Sequence, residues 1–242
     1  MALAMHSADD SVSVLSIANG RVMGFEKLPM RKGSGPSAAA FNPDGKSVLI
    51  SFPNGGTVGL FTVSAGKLKT PALREMSAGV WPTALSYCGS TGLAVVSNYG
   101  KVTGDADTIS LLDVATAPPR VVDTVTVGPS PEGVACSSDG KYAAASVQNM
   151  STLPEDSPFY SPTSLLVLLK VEGKRLRHIA QAPFGAWAQG VGFLDDSRTL
   201  FAQSIVDRSM HLFRIENDSL KVAAPPIVFK DGAPVAFGIA GR

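Results

Sequence analysis

The chain of 242 residues carries little charge and no excess of either sign. Charged residues make up 17% of it, and 21 Lys and Arg against 20 Asp and Glu give a formal net charge of +1. Without a basic surplus, bulk electrostatics does not draw the chain to nucleic acid or to an anionic membrane. A nucleic-acid partner is therefore not expected, and the hydrophobic content of 45% argues against intrinsic disorder.

Long apolar segments are also missing. The longest strongly apolar run, 165–169, is too short to cross a bilayer, which takes about 20 residues in a helix. Residues 1–20 lack a basic start and contain Asp9 and Asp10, so as they stand they do not form a signal peptide. No membrane span is expected.

Cysteine and histidine are scarce. Cys88 and Cys136 have no Cys-x-x-Cys spacing and no pair of histidines nearby. We interpret them as two small buried hydrophobic residues, with a disulfide or metal ligation as the alternative. No phosphate-loop, dinucleotide, zinc-ligand or haem-attachment motif is present, so neither a metal nor a cofactor is predicted.

Glycine and proline, in contrast, are abundant, with 24 and 17 residues, and they predict many turns and an all-β chain. Five segments share one form: Pro-x-small-apolar, a turn, and an apolar strand. Asp44-Gly45 and Asp139-Gly140 suit the tight turns of hairpins, because glycine tolerates a positive φ. The segments recur at spacings of 46, 49, 57 and 46 residues, measured at Pro36, Pro82, Pro131, Ala188 and Pro234.

Third and fourth strands follow each hairpin. The predicted third strands are 10–17, 56–63, 107–114, 164–171 and 209–215, and more polar fourth strands include 120–127 and 175–182. Four strands repeating at about 40–50 residues are typical of a β-propeller blade. The sequence thus predicts one all-β domain, 1–242, a β-propeller of about five four-stranded antiparallel blades: 1–32 with 233–242, 33–76, 77–128, 129–185 and 186–232.

The two ends of the chain are predicted to complete one blade together. Residues 1–30 supply a second, third and fourth strand but no first, whereas the C-terminal segment 235–241 is a lone first strand. Pairing between them would close the ring.

Residues 107–140 carry a pattern known from other proteins. The sequence DTISLLDVATAPPRVVDTVTVGPSPEGVACSSDG resembles the YVTN-repeat β-propeller family, in particular YncE-like bacterial proteins, and more distantly the seven-bladed lactonase-like propellers. The resemblance implies seven blades and export, so we expect an N-terminally truncated sequence of a periplasmic or secreted protein. A complete five-bladed chain would instead be cytoplasmic.

Propeller geometry predicts where a site would lie. The starts of the first strands share one face with the two longest connections, 98–108 and 149–162, and long loops on an economical repeat are often functional. Some of these residues also have structural interpretations: Trp187 could pack between blades, Asn149 could cap a turn, and the aromatic loop residues could hold their own loop. The candidate ligand-binding residues are Trp81, Glu132, Asn149, Phe159, Tyr160, Trp187 and Gln189.

Catalytic candidates are fewer. Glu132 is the one candidate, a general base if burial raises its pKa, and no Ser-His-Asp arrangement is indicated. We therefore expect a monomeric, non-catalytic β-propeller scaffold that binds a small molecule, glycan or protein on this face. The alternative is a lactonase-like hydrolase acting on a sugar or muconate-type lactone.

Overall fold

The structure, a computed structural model, describes residues 1–238 and consists of antiparallel sheets that follow one another along the chain. The first sheet has three strands: β1 (Ala2–His6), β2 (Ser11–Ala18) and β3 (Arg21–Pro29). The second contains β4 (Ala39–Phe41), β5 (Ser47–Phe52), β6 (Thr57–Ser64), β7 (Lys67–Leu68) and β8 (Arg74–Ser77). Strands β7 and β8 pair with successive parts of β6, so together they form an interrupted fourth strand.

The remaining three sheets have four strands each, in sequence order. The third contains β9 (Pro82–Tyr87), β10 (Leu93–Asn98), β11 (Asp107–Asp113) and β12 (Arg120–Gly128). The fourth contains β13 (Pro131–Cys136), β14 (Tyr142–Val147), β15 (Ser164–Glu172) and β16 (Arg175–Phe184). The fifth contains β17 (Ala188–Phe193), β18 (Thr199–Ser204), β19 (Ser209–Glu216) and β20 (Ser219–Val228). The predicted all-β architecture of five antiparallel blades is confirmed.

Apolar side chains fill the spaces between consecutive sheets in four clusters. Between the third and fourth sheets, for example, Val95, Leu111 and Val167 are completely buried. Every residue of β10 and β14 is buried, because a second strand is covered by neighbouring sheets on both faces. Each fully buried Val or Leu contributes about 1.5–3 kcal/mol relative to an exposed one, so stacking of the blades is the main source of stability.

The predicted pairing of the C-terminal strand with the N-terminal sheet is not present in residues 1–238. The C-terminal segment lies against the fifth sheet: the rings of Phe237 and Phe201 meet edge to face with centroids 4.7 Å apart, and the Gln203 amide donates to the Ala236 carbonyl at 3.4 Å. Within residues 1–238, however, β1 pairs with β2 alone. Residues 239–241 of the predicted closing strand lie outside the described residues.

Exposed apolar side chains mark the two ends of the row of sheets. Phe25 on β3 is 72% exposed, and Val222 on β20 is 73% exposed. The four apolar clusters connect the sheets in chain order, and in the described part of the chain none of them joins the fifth sheet to the first.

Serine hydroxyls connect the first strands of neighbouring blades. Ser97 in β10 accepts the Ala84 N–H of its own blade at 3.0 Å and donates to the Glu132 carbonyl of the next blade at 3.0 Å. Ser51 in β5 and Ser146 in β14 bridge their own and the following blade in the same way. These buried hydroxyls fix how neighbouring inner strands are aligned, and they thereby fix the positions of the residues that line the centre of the propeller.

The two cysteines form a disulfide, which corrects the interpretation as separate buried hydrophobic residues. Cys88 directly follows β9 and Cys136 ends β13, so the bond joins the inner strands of the third and fourth blades. The cysteines are 48 residues apart, about one blade repeat, and only the stacking of the blades brings them together.

Within residues 1–238 there is no helix with the length and apolar character needed to cross a bilayer.

Candidate functional site

The two long connections meet on one face of the propeller. The Asp107 carboxylate accepts the Ser130 N–H at 3.0 Å, which ties the first connection to the start of β13. The Phe159 ring of the second connection covers Gly104 of the first so closely that a Cβ added to the glycine would lie 2.7 Å from the ring. Both loops therefore lie over the start of the inner strand β13.

In four blades the residue before the anchor position of the repeat (36, 82, 131 or 188) has a left-handed backbone. The φ angles are 58° at Gly35, 55° at Trp81, 58° at Ser130 and 55° at Trp187. In this conformation the Trp81 carbonyl accepts the N–H of Tyr99 at 2.9 Å, just beyond the second strand of the same blade. The conformation is unfavourable for residues with a Cβ, but it recurs in four blades and therefore belongs to the repeat.

Glu132 takes part in a hydrogen-bonded chain that reaches Tyr99 in the first loop through Gln148, the residue just before the second loop. Its carboxylate accepts the Gln148 amide N–H at 3.3 Å, and the amide oxygen of Gln148 accepts the Tyr99 hydroxyl at 2.9 Å. Gln148 is only 2% exposed, whereas Glu132 and Tyr99 are half-buried. The carboxylate, the amide and the phenol thus form one connected polar group at the start of an inner strand.

Burial and like charges shift the titration of this group. Burial raises the pKa of Glu132. The pKa of Tyr99 is raised first by burial and then by the negative charge of Glu132, and burial raises that of Asp107, with a further contribution from Asp105. The surroundings are therefore acidic, which favours an uncharged or cationic ligand over an anionic one.

The main chain of Glu132 is held by the preceding blade. Its carbonyl accepts the Ser97 hydroxyl at 3.0 Å and the Thr83 hydroxyl at 3.4 Å. Gln189 has the corresponding position in β17, where its carbonyl accepts the Ser146 hydroxyl. The predicted candidates Glu132 and Gln189 therefore lie on consecutive inner strands. In each case a serine hydroxyl of the preceding blade donates to the main-chain carbonyl and holds the residue in place.

The two tryptophans lie at separate points of this face. Trp81 is 40% exposed, and the Lys101 ammonium lies 4.6 Å from the centre of its ring. Trp187 is 42% exposed, and its backbone N–H donates to the Ser151 hydroxyl at 2.9 Å. Both indole rings are thus accessible to solvent.

The remaining candidates belong to the second loop. The Asn149 amide donates to the Ser161 hydroxyl at 2.8 Å and to the Thr163 carbonyl at 2.9 Å, so Asn149 holds its own loop together. Phe159 is 57% exposed above Gly104. Tyr160 is half-buried.

Sequence reasoning missed Tyr99 and Gln148. Both come immediately after an apolar second strand, where the chain turns into a long connection. They are 49 residues apart in the sequence. The one feature of the sequence that could have marked them as site residues is a polar side chain at the start of a long loop.

No protein-family model matches this sequence, and neither does any curated protein. Among solved structures, the chain is similar to a proposed 6-phosphogluconolactonase from Bacteroides fragilis, with a TM-score of 0.75 and 14% identity, over 95% of this chain and 68% of that one. It is also similar to a proposed 6-phosphogluconolactonase from Bacteroides uniformis, with a TM-score of 0.72 and 14% identity, over 93% and 67% of the two chains.

A third similar structure is hydrazine synthase from Kuenenia stuttgartiensis, with a TM-score of 0.69 and 16% identity, over 94% of this chain and 63% of that one. This chain therefore spans about two thirds of each structure. Likeness at such low identity establishes the class of fold, a β-propeller, and leaves the activity to be argued from the residues themselves.

Proposed function

We propose that the loop-bearing face of this propeller is a binding site for an uncharged or cationic small polar molecule, with Glu132 as its main hydrogen-bonding group. The observation that carries the proposal is the chain from Tyr99 through Gln148 to Glu132. A half-buried carboxylate is costly unless a cation or several donors compensate it. Among residues 1–238 no cationic side chain forms an ion pair with Glu132, so a bound ligand is a natural source of the further donors.

A thermal-shift screen tests this proposal. The compounds are neutral polyols and sugars, amino alcohols and quaternary amines, with sugar phosphates and dicarboxylates as the anionic comparison. We expect neutral or cationic compounds to raise the melting temperature of the wild-type protein, and this effect to disappear in Glu132→Gln. The matched control is Glu155→Gln, an exposed carboxylate of the second loop, which should respond like wild type. Hits confined to anions, or an unchanged response in Glu132→Gln, would refute the proposal.

Hydrolysis of an uncharged lactone is a second candidate function. It is supported by the raised pKa of Glu132, which makes its carboxylate a stronger base, and by the fold shared with two proposed 6-phosphogluconolactonases. In this reaction Glu132 takes a proton from water, the water oxygen attacks the lactone carbonyl carbon, and the ring C–O bond breaks. The proton then passes to the released ring oxygen, which gives the hydroxy acid.

The acidic surroundings of Glu132 distinguish between lactones. We expect glucono-δ-lactone to be opened faster than its 6-phosphate, because Glu132 and Asp107 repel a phosphate. If the wild-type protein hydrolyses every lactone no faster than Glu132→Gln does, the hydrolase function is refuted and the binding function alone remains.

We further propose that the protein is related to YVTN-repeat propellers and is located in the periplasm or secreted. The residues of 107–140 support kinship with YVTN-repeat, YncE-like propellers, and the Cys88–Cys136 disulfide supports a periplasmic or secreted location, since such bonds persist in oxidising compartments. Mass spectrometry of the Cys88–Cys136 peptides from the native source checks this: an oxidised pair is expected, and fully reduced thiols would contradict it.

A further inference from the structure

A cleft opens on the loop-bearing face, beside the first three blades. Its volume is about 280 Å³, and Glu132 is not among the residues that line it. It lies where the turn after β1, the turn after β5 and the starts of two inner strands meet. The lining includes Ser7, Gly35, Ser37, Pro53, Asn54 and Trp81.

Trp81 provides the aromatic wall of this cleft. The residue is 40% exposed, and its left-handed backbone is rare for a bulky side chain. Lys101 lies over the ring at 4.6 Å, within the range of a cation–π contact. The Trp81 indole therefore contacts the Lys101 ammonium and also borders the open cleft.

The opposite wall is built by backbone that a carboxylate holds in position. Asp10 accepts the N–H groups of Gly33 at 2.6 Å and Gly35 at 2.8 Å. A Cβ added at Gly35 would lie 2.7 Å from the amide nitrogen of Asn54, so a larger residue would push this amide aside. Gly35 thereby allows the exposed Asn54 amide to stand next to the cleft.

The chemistry of the lining selects the ligand. None of the lining residues is ionisable, which favours an uncharged ligand. An aromatic ring, an amide and two serine hydroxyls recognise a molecule with an apolar C–H face and a rim of hydroxyl groups, which describes a sugar ring. Its volume of about 280 Å³ lies just below the range of about 300–1,000 Å³ for ligand pockets, so the cleft suits no more than one small ring.

We propose that this cleft binds a single sugar ring of a neutral saccharide, stacked on Trp81 and hydrogen-bonded by Asn54. The site is separate from the one that contains Glu132, and it does not depend on the function proposed above.

The test uses methyl β-glucoside, methyl α-mannoside, N-acetylglucosamine and cellotriose, titrated into the full chain by calorimetry and tryptophan fluorescence. At least one of them should bind the wild type, and Trp81→Ala should weaken it at least about tenfold, because the stacking surface is lost. Trp81→Phe, which keeps an aromatic face, should retain more affinity than Trp81→Ala. Asn54→Ala, at an exposed position, should weaken binding without disturbing the fold.

Trp187→Ala is the matched control, because the two tryptophans are the only ones in the chain and share the same φ and similar exposure. It should leave saccharide affinity unchanged, and so should Glu155→Gln, at an exposed carboxylate outside both sites. No binding by any of the four sugars, or equal affinity in the wild type and a folded Trp81→Ala, would overturn the proposal. A sugar lost in Glu132→Gln but kept in Trp81→Ala would assign binding to the Glu132 site and overturn the cleft as its location.

Discussion

Removing the Ser97 hydroxyl tests how the blades hold the site. Ser97 is completely buried, and its hydroxyl accepts the Ala84 N–H and donates to the Glu132 carbonyl, each at 3.0 Å. In Ser97→Ala the Ala84 N–H loses this acceptor and the Glu132 carbonyl keeps only the longer contact from Thr83. Leaving a buried polar group unsatisfied costs about 1–3 kcal/mol, and we expect a loss of that size in the free energy of unfolding.

Urea unfolding measures this loss, with Ser64→Ala as the control. Ser64 ends β6 and is exposed, so its substitution should change the unfolding free energy by less than about 0.5 kcal/mol. A loss below that value in Ser97→Ala would refute the bridging role of the hydroxyl.

A double-mutant cycle sharpens the same prediction. The Thr83 hydroxyl lies 3.0 Å from the Ser97 hydroxyl and also reaches the Glu132 carbonyl. Because both side chains serve one carbonyl, the losses in Thr83→Ala and Ser97→Ala should not add, with a coupling of about 0.5 kcal/mol or more. Strict additivity would mean that the two hydroxyls act independently.

Three further predictions concern stability. Replacing Cys88 and Cys136 by serine should cost up to about 4 kcal/mol in urea unfolding, from the loop entropy of a crosslink spanning 48 residues; an unchanged midpoint would contradict the bond. Ser130→Gly should be more stable than Ser130→Ala by about 1 kcal/mol, because glycine alone accepts φ 58° without strain; equal stability would contradict the left-handed backbone. Asp113 is desolvated, which opposes ionisation, but Lys174 and neighbouring donors lower its pKa from 3.8 to about 2. The ionised Asp113 carboxylate therefore stabilises the fold fully above pH 3.8, and this stabilisation is lost as the pH falls towards 2. In thermal unfolding, Asp113→Asn should be less stable than wild type at neutral pH and similar to it at pH 2. A difference in stability that persists at pH 2 would contradict the lowered pKa.

The repeat in the sequence predicted most of the fold. Third strands expected at 107–114 and 164–171 are observed at Asp107–Asp113 and Ser164–Glu172, because apolar runs between turn residues have few alternatives to a buried strand. Asp139-Gly140 does connect two strands, with Gly140 at φ 70°. The strands and turns that repeat along the chain could thus be predicted from apolar runs and turn residues in the local sequence.

Contacts between blades were beyond the reach of the sequence. Tyr99 and Gln148, and likewise Cys88 and Cys136, are separated by about one repeat, and nothing in their local sequence encodes the stacking that brings them together. The left-handed backbone at Trp81 was equally hidden, because Trp gives no hint of a positive φ. Glu132 was identified from its position alone, and its partners needed the structure.

The most direct test of the proposed site is the pH dependence of ligand binding at Glu132. Calorimetry of the best neutral or cationic compound from the thermal-shift screen, in wild type and Glu132→Gln, measures it. Because burial raises the pKa of Glu132, affinity in wild type should begin to fall at a higher pH than the 4.5 of an ordinary glutamate, as the carboxylate takes up a proton. Glu132→Gln should bind weakly at every pH. Equal affinity in the two proteins, or a wild-type affinity that does not change with pH, would contradict a site built on Glu132.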